Sequence, residues 1–191
     1  HATVRSGTVS VQETVRAQVD PQQRLRVARS HTAAHMLHWA LRKVLGPETV
    51  QAGSLVETER VRFDFSSLGG VHEEQQAKVE SLVNGRIRTA DEVRTATMKL
   101  DEAKQAGAMA LFGEKYGQQV RVVTIGDYSK ELCGGTHLAH TGSIGTFRII
   151  TESAVAAGTR RIEAVVGEAA EECSRHESHL LREAARRLSR P

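Results

Sequence analysis

The sequence is poor in most of the features that would place a protein at a glance. Aromatic residues are 4% of its 191 positions, which leaves little for stacking on nucleic-acid bases. Two cysteines, Cys133 and Cys173, are too few for a disulfide framework. They point instead to a reducing, intracellular compartment in which a thiol stays free for metal or chemistry. No stretch approaches the ~18 consecutive apolar residues of a membrane span, and no apolar signal-peptide core is present. A net charge of +3 is too weak to declare a nucleic-acid binder. There is no starting methionine, so a chain that opens HATVRSG and closes AARRLSRP reads as a piece of something longer.

What is present is unevenly spread. With 39% hydrophobic residues the chain can bury a core as one domain, or as a domain with a satellite. Residues 1–45 carry Arg5, Arg16, Arg24, Arg26, Arg29, Arg42 and Lys43 against Glu13 and Asp20. That excess suits an approaching polyanion, although a solvated helix face is its commoner cause. Three of the nine histidines, His31, His35 and His38, fall within RSHTAAHMLH. On a helix His31 and His35 are one turn apart and point the same way.

Three parts follow from periodicity. Residues 1–20 alternate (TVSVQETVRAQV) and read as strands. Asp20 then supplies an N-cap, Pro21 a first helical position and Gln23 a capping-box partner for a helix to Leu45, with a break allowed near Ser30. Residues 21–167 continue with a hairpin (AGSLV, VRFDF), a helix from about Glu73 to Arg88, a strand EVRTATM and a short helix begun by Asp101. The strands QVRVVTI, GTFRIITES and TRRIEAVVG come next, with the irregular SKELCGGTHLAHTGSIG between the first two. Residues 168–191 read as an exposed helix, with Glu171/Arg175 and Glu183/Arg187 at i, i+4 spacing. The class is α+β, with helices packed on a mainly antiparallel sheet.

CGGTH places Cys133 and His137 four apart on a glycine-rich turn. Joined to His31 and His35 they make a tetrahedral Zn2+ set, interior to the domain, of two helix imidazoles, one loop imidazole and one thiolate. Gly134 and Gly135 let the loop fold tightly enough to aim both ligands. The motif is not the HExxH of metalloproteases, since Thr32 follows His31 and no glutamate base is supplied. His38 is expected behind the ligands or in packing, His72 and His140 in loops, Cys173 idle, and Phe63, Phe65 and Trp39 in the core.

HTAAH, QAGSLVETERVRFDFS, LFGEKYG, ELCGGTH and GTRRIEAVVGE resemble, in order and wording, the editing region of alanyl-tRNA synthetase. Related modules occur in threonyl-tRNA synthetase and in freestanding alanyl-tRNA editing proteins. The resemblance covers nearly all of residues 1–170, and GGTH and RFDF favour the alanyl branch. It implies a deacylase that hydrolyses mischarged Ser-tRNA(Ala) or Gly-tRNA(Ala), with Zn2+ on His31, His35, Cys133 and His137. It implies Gln51 as a pocket residue, and tilts the choice between Arg160 and Arg161, neighbours on opposite faces of a strand, toward Arg161. Thr32 is the nearest hydroxyl to the first ligand and a candidate for reading serine. Many relatives have threonine just before the second histidine; here stands Ala34. Implied partners are the tRNA(Ala) 3′ end and the remaining synthetase domains, with dimerisation through a C-terminal domain outside this chain, in the cytoplasm and away from membranes. Residues 1–20 then become the end of a small β-barrel and residues 168–191 the lead into the C-terminal part. The competing readings are a non-catalytic, zinc-stabilised tRNA-binding module and a threonyl-type editing domain.

Overall fold

Helix α1 (Pro21–Leu45) begins where the sequence predicts. The Asp20 carboxylate accepts from the backbone N–H groups of Gln22 (2.8 Å) and Gln23 (3.3 Å), and Pro21 sits in the first turn. Gln23 is not the return partner of a capping box. Its amide instead donates to Thr58 Oγ1 at 2.6 Å, so a tertiary contact replaces the local one. The helix passes Ser30 unbroken, the hydroxyl folding back onto Arg26 O, and stops at Gly46 with φ 121°. All residues from Thr32 to Leu41 are buried. A surface helix buries one stripe; this stretch of α1 is enclosed on every side, and Ala28, Ala33, Ala34 and Ala40 let its neighbours come close.

The computed structural model describes residues 3–110 and 115–188, so the first letters of the LFGEKYG motif lie outside the described residues. After α1 come strands β1 (Gln51–Glu57) and β2 (Arg60–Ser66), helix α2 (Glu73–Arg88), β3 (Val93–Lys99) and the short helix α3 (Leu100–Gln105). Strands β4 (Gln119–Ile125), β5 (Ser129–Leu132), β6 (Phe147–Ala156) and β7 (Thr159–Val166) precede helix α4 (Gly167–Leu188). The strands form two antiparallel sheets rather than one, ordered β1-β2-β7-β6 and β3-β4-β5. Helices α1 and α2 cover one face of the larger sheet, where Phe63, Phe65, Phe147 and Ile162 meet Met36, Leu37 and Leu41 in the main core. Trp39, the single tryptophan, packs against Tyr128 with ring centroids 4.6 Å apart and the planes tilted by 48°, and Arg86 lies over both rings.

Three further expectations change. Residues 3–20 form no strand, and Val4, Val9, Val11, Val15 and Val19 are each more than half exposed. Alternation describes a strand only when a neighbour completes its ladder, and no described residue pairs with this segment. The irregular segment also holds order: β5 covers its first four residues, and a 3-10 turn spans Thr141–Ile144. Four-residue elements are too short to show a period. Helix α3 starts at Leu100, one position before the expected Asp101, with Lys99 at its cap.

One turn residue ties three elements together. Glu59, at the tip of the β1–β2 hairpin, has φ 54° and a side chain only 8% exposed. Its carboxylate accepts from Arg29 Nη1 on α1 and from the Ala169 N–H at the start of α4, both at 3.2 Å. Its carbonyl accepts from Val166 N at 3.0 Å. Glycine would relieve the left-handed backbone there, so the buried carboxylate is what the position needs. Glu59→Ala is expected to destabilise the chain by about 3 kcal/mol, since it leaves Arg29 without its buried partner. Urea unfolding followed by circular dichroism measures this, and a loss no larger than that of an exposed Glu→Ala control would contradict it.

Candidate metal centre

The expected ligands meet. The coordinating atoms of His31, His35, Cys133 and His137 all lie within 4.8 Å of one another, although His35 and Cys133 come from opposite ends of the core. Cys133 Sγ is 3.3 Å from His31 Nε2 and 3.4 Å from His137 Nε2. His35 is buried, and the other three are half exposed, so one side of the cluster faces solvent.

Helix geometry supplies two ligands and a clasped loop the other two. The loop carbonyls of Cys133 and Gly135 both accept from Arg121 Nη1, and Cys133 N donates to Arg121 O at 3.0 Å. Gly135 approaches the His31 ring so closely that a Cβ there would stand 2.0 Å from Cε1. No side chain fits, so the second glycine of CGGTH is fixed by contact with a ligand. Gly134 has open space around it.

Behind the ligands stands Glu131, 3% exposed, which sequence reasoning did not single out. Its carboxylate is 2.9 Å from His35 Nδ1 and 3.2 Å from His38 Nδ1, and Ser129 Oγ donates to it at 3.3 Å. Glu131 lies two before Cys133, but in a strand of four residues nothing in the sequence marks it as buried. With Nδ1 engaged, His35 turns Nε2 into the cluster, where it is buried without a hydrogen-bond partner. An orphaned imidazole nitrogen aimed at a thiolate and two more imidazoles, its other nitrogen held by a carboxylate, is the arrangement a zinc ligand requires. The residues fit the metal. His38 sits behind them, as expected, on Glu131 and 5.6 Å from the Phe63 ring.

Electrostatics prepare the donors. Burial opposes charge on Cys133, yet hydrogen bonds from His137 and His31, with the facing His35 charge, outweigh it and bring the thiol down to about 3. Burial likewise lowers His35, but the facing Glu131 charge overrides it and raises the imidazole to about 10. Burial also raises the Glu131 carboxyl, and the His35 and His38 partners more than reverse this. His137 is lowered, chiefly by burial. Neighbouring groups thus bias Cys133 toward the thiolate and His35 toward the imidazolium.

The remaining candidates are placed as follows. Thr32 is fully buried; its Oγ1 donates to Ala28 O (2.9 Å), accepts from Leu138 N (3.1 Å) and lies 3.4 Å from His137 Nδ1. Both arginines of GTRR are paired: Arg161 bidentately with Asp64 (2.6 and 2.7 Å) and Arg160 bidentately with Glu152 (2.6 Å each). Each arginine is therefore anchored by an acid on a neighbouring strand, Asp64 on β2 and Glu152 on β6. Gln51 opens edge strand β1, its Nε2 donating to Ser54 Oγ at 3.1 Å.

Strand β1 runs antiparallel alongside α1, pinned at both ends. Gln23 near the helix start holds Thr58, and Arg42 near its end donates to Thr49 O at 3.2 Å. Roughly 28 Å of helix matches roughly 30 Å of strand between those pins. The middle of the strand, Gly53 and Ser54, therefore comes abreast of the turn from His31 to His35.

Comparison with known proteins follows this geometry. Residues 120–163, which include Cys133 and His137, match the family described as the threonyl and alanyl tRNA synthetase second additional domain. The chain is 50% identical over 185 residues to the alanine–tRNA ligase of Bacillus cytotoxicus, covering 97% of itself and 21% of that protein. It is 48% identical over 188 residues to the Idiomarina loihiensis ligase (98% and 22%), and 54% identical over 167 residues to that of Shewanella loihica (87% and 19%). Residues 120–163 thus carry the domain class shared by threonyl and alanyl tRNA synthetases. Within that class the chain belongs to the alanyl-tRNA synthetase family, as its motifs indicated, and spans about a fifth of the length of the relatives it matches.

Two measurements test the centre. A metal takes the His35 nitrogen that carries a proton up to about pH 10. Binding therefore displaces that proton, and zinc affinity is expected to rise about tenfold per pH unit between pH 7 and 9. Calorimetry in two buffers of different ionisation heat counts the proton; a pH-independent affinity refutes the assignment. Glu131→Gln keeps the shape but removes the charge behind His35. It is expected to weaken zinc binding by about 10–100-fold in a chelator competition.

Proposed function

We propose that the cluster and the strand edge beside it form a hydrolytic editing site, which cleaves the ester joining serine or glycine to the 3′ end of tRNA(Ala). The observation that supports this best is the half-open cluster of three imidazoles and a thiolate, in a chain half identical to alanine–tRNA ligases. The reading also has a chemical necessity. A synthetic pocket for alanine rejects glycine by only ~1–3 kcal/mol, because a missing methyl is worth no more. Serine adds a single oxygen. A second site that removes both errors and spares alanine answers the need.

The chain's own residues take distinct parts. His31, His35, Cys133 and His137 would hold Zn2+, whose positive charge favours negative charge developing on the ester carbonyl. With all four bound the shell is closed, so the attacking water is ordered by protein groups beside it. Gln51 is the candidate to bind that water or the substrate. Glu131 fixes the rotation of His35, and Thr32 acts through His137, since its hydroxyl is held by Ala28 and Leu138. Arg161, anchored on Asp64, is the candidate to steer the RNA end. The proton of the attacking water leaves with the ribose oxygen, giving free amino acid and an intact 3′ end. The natural partners are the acceptor end of tRNA(Ala) and the other parts of a cytoplasmic, dimeric synthetase, which supply the rest of the barrel that residues 1–20 would join.

One observation favours a non-catalytic tRNA-binding module as the second reading. On α1 between the two ligand histidines the only hydroxyl is Thr32, already engaged, and Ala34 is buried. The rate of deacylation of seryl-tRNA(Ala) against alanyl-tRNA(Ala), with zinc quantified in the same sample, separates the two. Rapid loss of serine with alanine spared, falling at least 100-fold when His35→Ala loses zinc, is expected. A zinc-replete chain that spares serine, alone and within the full-length ligase, refutes editing.

A further inference from the structure

In a regular strand residues three apart face opposite sides. Gln51 and Ser54 are three apart, yet their side chains are hydrogen-bonded to each other. The cause is a bulge. Gln51 pairs with Phe65, then the register shifts so that Gly53 pairs with Asp64 and Ser54 with Phe63. Phe63 and Phe65 both belong to the core, and Phe63 packs against His38 of α1, so the face Gln51 and Ser54 share is the one turned to the metal-bearing helix. A bulge at a sheet edge re-aims a side chain in this way.

Resting on the editing function proposed above, we infer that the bulge at Ala52 builds a hydroxyl-reading pair from Gln51 and Ser54, and that Ser54 is the specificity-determining residue for serine. By the pinning at Thr58 and Thr49, Ser54 lies abreast of the turn from His31 to His35, and Gln51 reaches toward it through their hydrogen bond. Its hydrogen-bond inventory matches a substrate hydroxyl. With Gln51 Nε2 donating to Ser54 Oγ, Gln51 Oε1 keeps its acceptor sites and Ser54 keeps its O–H as a donor. A serine side chain can donate to the first and accept from the second. Alanine and glycine can do neither. The helix offers no substitute: Thr32 is committed to Ala28 and Leu138, Ser30 to Arg26 O, and position 34 is alanine. Ser54 itself is exposed and Gln51 half-buried, so both are within reach of a ligand entering from solvent.

The test compares serine with glycine, since both esters share the remainder of the site and only one carries the hydroxyl. In the zinc-loaded chain, Ser54→Ala is expected to lower the ratio of kcat/KM for seryl- over glycyl-tRNA(Ala) about tenfold, the loss of one hydrogen bond, and Ser54→Thr to restore it. Affinities of the stable amide analogues 3′-serylamino- and 3′-glycylamino-adenosine, by calorimetry, supply a readout independent of turnover and should show the same change of ratio. Equal losses for both esters, or an unchanged ratio in an active enzyme, overturn the role of Ser54 while leaving editing intact. Serine-selective analogue binding that Ser54→Ala abolishes, in a chain that hydrolyses neither ester, keeps the reader and removes the editing function instead.

Discussion

A carboxylate buried to 3% exposure, Glu131, is the constraint from which the rest of the centre follows. Removing such a charge from water costs several kcal/mol unless it is paired and hydrogen-bonded. Here two imidazoles and a hydroxyl do so, and both imidazoles lie on α1. Strand β5 is thereby locked to the helix in one register. Cys133, two residues beyond Glu131, has no freedom to land anywhere but beside His31. The same contact sets which nitrogen of His35 faces the cluster. The orientation of His35 and the docking of sheet to helix thus share one group.

Helices and long strands were legible because their signals are local. Asp20 and Pro21 announce α1, and the alternation in RFDF and TRRIEAVV marks strands buried on one side. The convergence of the four candidate ligands was legible too, since two pairs at spacing four are rarer than either pair alone. Glu131 was not, because a glutamate in a four-residue strand looks like any surface acid until burial is known. Nor was the enclosure of α1: HTAAHMLHWAL carries no single apolar stripe, and only the arrangement of α2, β2 and β5 around it explains why polar and apolar sides are both covered. The acids that hold the arginine pair were not legible either. Opposite faces of β7 were inferred correctly from alternation, but each face turned out to hold an acid on the neighbouring strand, Asp64 on one side and Glu152 on the other.

The strand at residues 3–20 failed in an instructive way. Period-two alternation records what a segment can do beside a partner, and the valines there stay exposed without one. By contrast, the bulge in β1 is invisible to periodicity because it violates it. QAGSLV looks like an unremarkable edge strand, and the one-residue shift between Gln51 and Gly53 is what brings glutamine and serine to the same face.

Trp39, the lone tryptophan of the chain, stands one helical turn beyond His35, with the Tyr128 ring against it and the Arg86 guanidinium above. Tyr128 is the residue before β5, the strand that carries Glu131. The indole therefore bridges the two elements that must stay together for the metal ligands to converge. Its ultraviolet emission, fed by energy transfer from a tyrosine 4.6 Å away, makes the protein its own optical gauge of that junction. A label-free spectrum follows the parting of α1 from β5 at the place where the centre is assembled, with no other tryptophan to dilute the signal.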